Sequence, residues 1–144
     1  MTIPAVILAL ASLSFIGFGV AFVMSPAEMA GVVGLAAETP SALTEVRAMY
    51  GGLEIALGVV LLTMLRGATA QIVGLRVAAF AFGGLALGRL TGLVVDGFWQ
   101  PFTWLLMAVE ILSAGLCVWA LRAARIDAVD RPTRVDRSRA DSGG

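Results

Sequence analysis

The chain has 144 residues, 59% of them hydrophobic, with no histidine, one cysteine and a formal net charge of zero. Soluble domains are about 45–50% apolar, so the composition points to the bilayer; the missing histidine and second cysteine exclude an intrachain disulfide, haem held through histidine and any metal site built on histidine or cysteine. All ten basic residues are arginine, and their one dense run is a C-terminal stretch interspersed with acids, so neither a nucleic-acid partner nor a cofactor is expected.

Residues 5–24 are uncharged and almost wholly apolar. About 20 such residues cross roughly 30 Å of hydrocarbon. No basic residue precedes the run and no cleavage motif follows it, so a retained helix is expected rather than a signal peptide. Ser25-Pro26-Ala27-Glu28 reads as a helix start, with Ser25 as N-cap, Pro26 in the first turn and Glu28 closing a capping box. The helix it begins, to about Leu35, is too short to span and is expected at the interface. Thr39-Pro40 opens the next long helix in the same way. Its apolar run ends at Leu65, before Arg66-Gly67, which places membrane entry near Val46. Span three is expected over 77–95, with its helix starting near Ala68 and stopping at Asp96-Gly97. Phe98-Trp99-Gln100-Pro101 makes a turn, and span four follows over 102–121. Trp99 and Trp104 mark one interface and Trp119 the other.

The fold class expected is therefore all-α: a bundle of four transmembrane helices with a short interfacial helix between spans one and two. Residues 1–122 form a single transmembrane domain, and 123–144 a polar, disordered tail. Arg66, Arg76, Arg122, Arg125 and the tail arginines share one side with both termini, whereas Glu28, Glu38 and Asp96 lie on the other. The positive-inside rule then puts both termini in the cytoplasm of a bacterial inner-membrane protein.

Charges within spans are costly, about 2.5–3.5 kcal/mol each at a helix centre on insertion scales, and mark candidate sites. In span two, Arg47, Tyr50, Gly51, Glu54 and Gly58 recur at helical spacing and are expected on one face. Glu45 points the other way, into the headgroup zone. At about 1.5 Å per residue, Glu54, Arg89 of span three and Glu110 of span four reach the same depth. Arg47 and Tyr50 lie nearer the mouth, as does Asp96. Ser113, Ala114 and Cys117 extend the Glu110 face inward. Arg76 is expected to snorkel at the inner interface. Gly51, Gly58, Gly84, Gly88 and Gly92 have the small-residue spacing that lets membrane helices pack closely.

The motif Glu45-x-Arg47-Ala48-x-Tyr50-Gly51-Gly52-x-x-x-x-x-Gly58, followed by Arg89, Asp96-Gly97, Pro101 and Glu110, resembles the bacterial membrane family called domain of unknown function 4345. The resemblance covers all four spans and leaves out the tail. It implies a small four-helix membrane protein and no particular reaction.

Three function classes follow from the residues. The first binds or passes a small amphipathic ligand, met by Tyr50, Arg47 and Arg89, since arginine holds a carboxylate or phosphate through two hydrogen bonds. The second is an intramembrane isomerase or cyclase, with Glu54 and Glu110 as catalytic general acid and base. The third is an accessory subunit whose glycine faces pack on another membrane protein or a second copy. A ligand-sized cavity separates the first two from the third.

Overall fold

The computed structural model describes residues 2–97 and 100–141, with side chains described as far as Ala124. Six α-helices are formed, with one π-helical insert: α1 (Ile3–Met24), α2 (Pro26–Val32), α3 (Pro40–Val46), the π segment (Arg47–Gly52), α4 (Leu53–Thr63), α5 (Ala68–Asp96) and α6 (Pro101–Asp141). Four helical stretches are long and apolar enough to cross a membrane: Ile3–Met24, Pro40–Thr63, Ala68–Asp96 and Pro101–Ala124. At 1.5 Å per residue, the 22 residues of α1 reach about 33 Å. No strand occurs among the described residues. The chain is a multi-pass membrane protein of four apolar helices in contact with lipid. Its surface agrees: Phe80 is 82% exposed and Val94 75%, which a water-facing helix would not tolerate in such numbers.

The ends of the elements follow from local chemistry. Thr39 accepts a hydrogen bond from the Ala42 amide at 3.1 Å, capping α3 behind Pro40. Ser25 departs from expectation: its side chain makes no capping bond to α2. The Ser25 amide instead still donates to the Ala21 carbonyl at 2.9 Å, so α1 bonds on through the residue that was to open the next helix. Gly97 closes α5 in the left-handed region at φ 64°, which a residue with a Cβ enters only at a cost. Trp99 and Phe98, expected in the following turn, lie outside the described residues. The backbone of α6 continues beyond Ala124 to Asp141, through a stretch with five arginines, which are good helix formers.

Helix α1 is the hub. It packs along α4 and the π segment, and it also touches α5 and α6. Helices α5 and α6 form a second close pair. Spans two and three, adjacent in sequence, barely meet. One half of the bundle is solid: Leu8, Leu61 and Leu75 are fully buried around Ala78, Cys117 and Ala120. A smaller cluster of Phe22, Ala30 and Val46 packs α1, α2 and α3 together at the other end. Between the two clusters the bundle is hollow.

The α1–α4 contact is close because glycines face it. A Cβ on Gly58 would lie 2.7 Å from the Ser12 carbonyl oxygen, and one on Gly19 would lie 2.7 Å from that of Gly51. Neither backbone has room to yield. By contrast, Gly84 and Gly88 of α5 have nothing within 4 Å of an added Cβ, and Gly92 meets only the Asp96 carboxylate at 3.8 Å. Of the glycines singled out by spacing, Gly51 and Gly58 therefore touch span one, whereas Gly84 and Gly88 face open space.

Candidate functional site

Arg89 is held on α5 and Glu110 on α6, and the close packing of these two helices brings them together. Arg89 Nε donates to both carboxylate oxygens of Glu110, at 2.9 and 3.0 Å. The Glu110 side chain is 8% exposed and that of Arg89 27%. The bond fixes the guanidinium by its inner nitrogen. No hydrogen bond from its outer nitrogens occurs among the described residues.

Glu54, one residue into α4, lines the same cavity. Its Oε2 is buried without a hydrogen-bond partner. A buried polar atom left unpaired costs about 1–3 kcal/mol, and more when it carries charge, so this oxygen is a place where a donor is missing. The depth count thus brings Glu54, Arg89 and Glu110 to one cavity, in two different states: a closed pair and an open acid.

The cavity holds about 250 Å³ and is mostly apolar. Its floor is the stacked pair Phe15–Phe82, with ring centroids 4.7 Å apart, which is also the edge of the solid half. Val33 and Leu35, in the chain leaving α2, form part of the wall at the opposite end. Tyr50 lines it too and stacks on Phe22 at 5.3 Å. Through Phe15, Tyr50, Glu54, Leu85 and Arg89 the cavity shares walls with a wider cleft of about 570 Å³ between α4 and α5. Gly84 and Gly88 line that cleft, and their missing side chains help to keep it open.

The π segment separates residues that helical spacing would align. The Leu53 amide donates to Ala48, five residues back, so the turn is wide and the face slips. Arg47 turns to span one, where its Nε donates to the Val23 carbonyl at 3.3 Å. That carbonyl is among the last of α1, which has no helical donor of its own, so Arg47 serves as a cationic C-terminal cap. Gly51 and Gly58 also face span one. Tyr50 and Glu54 face the cavity. The single polar face expected for span two is therefore two faces. Asp96 is exposed at the end of α5 and does not line the cavity. Arg76 is exposed as well, and Cys117 is buried in the solid half.

Sequence reasoning passed over the aromatic wall. Phe15, Phe18 and Phe22 lie at i, i+3 and i+7 in span one and all line the cavity. That spacing is a usable signal, but in an apolar span it is indistinguishable from ordinary packing.

The family model described as Domain of unknown function (DUF4345) matches residues 3–121. No curated protein and no solved structure matches the chain. The matched stretch takes in the motif around Arg47 and Tyr50, the π segment, Arg89 and Glu110, so the positions that build the cavity lie inside it; the chain belongs to the DUF4345 family.

Proposed function

We propose that the protein binds a small amphipathic ligand within the bilayer. The polar end of the ligand sits beside Glu54 and Arg89, and its apolar part lies against the phenylalanines or out along the α4–α5 cleft. The observation that carries this reading is a cavity of about 250 Å³, mostly apolar, onto which charged side chains from three spans converge. Binding sites for small molecules are commonly of this kind, apolar walls with a few convergent polar groups. The cleft supports entry from the lipid, because it shares its walls with the cavity.

The test is native mass spectrometry of protein extracted in mild detergent. Wild-type protein is expected to carry a bound small molecule. Ser113→Phe, which puts a ring into the cavity, is expected to lose it while keeping the fold. A wild-type protein of bare polypeptide mass, or an adduct unchanged in Ser113→Phe, would overturn the proposal.

A second reading, as an accessory subunit or homo-oligomer, draws on Gly84 and Gly88, whose open sides leave room for a neighbouring helix. In that case a partner helix fills the cleft, and Gly84→Leu abolishes co-purification of the partner.

A further inference from the structure

Four observations bear on what the cavity would hold. They deepen the ligand-binding reading and rest on it.

The first is charge. Of the residues that line the cavity, Glu54, Arg89 and Glu110 carry formal charge. With both acids ionised, two carboxylates against one guanidinium would leave one negative charge over. The second is how that positive charge is used. Arg89 gives its Nε to both oxygens of Glu110, so the arginine is already matched by an acid. An anionic head group entering here would meet a balanced arginine and a second acid. The sequence-based expectation of a carboxylate or phosphate held by Arg89 is at odds with this arrangement.

The third observation is the buried Oε2 of Glu54, which has no donor. It accepts, and what it lacks is an N–H or O–H. The fourth is the aromatic lining. Phe15, Phe18, Phe22, Tyr50 and Phe82 line one small volume, four of them stacked in two pairs that each leave an outer ring face. Ring faces attract cations, most strongly where water is excluded.

We propose that the ligand is a lipophilic amine: a single-chain amphiphile whose ammonium head lies between the Glu54 carboxylate and the aromatic wall, with its tail in the α4–α5 cleft. An ammonium supplies three donors and no acceptor, which suits Glu54 Oε2 and the ring faces together. It also cancels the leftover charge. A zwitterionic phospholipid head fits less well, because its phosphate would meet only the outer nitrogens of an arginine whose charge Glu110 already balances.

Three probes with one ten-carbon tail separate the possibilities: decylammonium, decanol and decanoate. Binding is measured by equilibrium dialysis against the protein in maltoside micelles, with empty micelles as the blank. Decylammonium is expected to bind about tenfold or more tighter than decanol, as one charge-assisted hydrogen bond would give, and decanoate weakest. Glu54→Gln keeps the shape and removes the charge; it is expected to erase the advantage of decylammonium over decanol. Phe18→Leu should lower decylammonium binding several-fold more than it lowers decanol binding. If decanol matches decylammonium and Glu54→Gln changes neither, the amine assignment fails and the ligand-binding reading survives. If decanoate binds best, the assignment fails in favour of the arginine-held anion. If no probe binds above empty micelles, both proposals fall together.

Discussion

Each charged residue of the spans has a distinct task, and the tasks predict different costs. Arg89 and Glu110 form a two-oxygen pair in which the Glu110 side chain is buried and that of Arg89 largely covered. Losing one member of such a pair typically costs on the order of 3–5 kcal/mol, because the other charge is left uncompensated. Arg89→Leu is therefore expected to lower thermal stability sharply, whereas Arg89→Leu with Glu110→Gln should recover much of the loss. A double-mutant cycle reads the coupling directly; losses that simply add would show that the pair contributes nothing. Arg76→Leu, at an exposed position with no ion pair among the described residues, should cost far less. Arg47 contributes as a helix cap through its bond to Val23. Capping cations of this kind contribute about 0.3–1 kcal/mol, up to about 2 in partly buried settings. Arg47→Gln should thus reduce stability modestly and leave decanol binding in the cavity unchanged; a loss of binding at full stability would place Arg47 at the ligand after all.

At the scale of elements, span two is shaped by glycine. Gly51 and Gly52 end the π segment, and Gly19, Gly51 and Gly58 let α1 and span two approach at backbone distance. A methyl group at Gly58 would press on the Ser12 carbonyl, 2.7 Å away, and a backbone atom cannot swing aside. Overpacking of this sort costs about 1–3 kcal/mol. Gly58→Ala is accordingly expected to lower the melting temperature in detergent. Gly84→Ala is expected to be neutral or slightly stabilising, since the site is open and alanine favours the helix by up to about 1 kcal/mol. Equal losses at both positions would mean that the α4–α5 cleft is closed in the membrane, as the accessory-subunit reading requires.

For the whole molecule, the division into a solid half and a hollow half determines which parts are indispensable. Helix α1 contributes to the buried core, to the α4 contact and to the aromatic wall. Protein lacking it would lose the floor of the cavity at Phe15. Intact-mass measurement of membrane-extracted protein is expected to find the first 24 residues present; a mature form starting near Ser25 would leave a three-helix chain with no site. Four crossings would return the chain to the side it started from. The arginine asymmetry motivates a cytoplasmic placement for both termini, and a reporter fused after Gly144 should be active only if it works in the cytoplasm. Activity of a periplasmic reporter at that position would invert the molecule and turn the Asp96 end inward.

Much was legible before any coordinates. Apolar run length sets the number of helices, because a bilayer demands about 20 residues per crossing and internal satisfaction of every backbone group. Turn chemistry at Thr39-Pro40 and Asp96-Gly97 places helix ends to within a residue. Depth put Glu54, Arg89 and Glu110 at one level, and the packing of α5 on α6 decided that Arg89 pairs with Glu110. Other features had no local signature. One extra residue in a turn rotates everything beyond it, so the π segment redirected Arg47 to α1 and left Tyr50 and Glu54 in the cavity. Which helices touch was likewise undetermined by periodicity, because spans apolar on every side present no preferred face. Packing settled it: glycines drew α1 against span two, α5 paired with α6, and the gap between α4 and α5 remained. A cavity is the space that close packing leaves unfilled, and that space exists only once every helix has a neighbour.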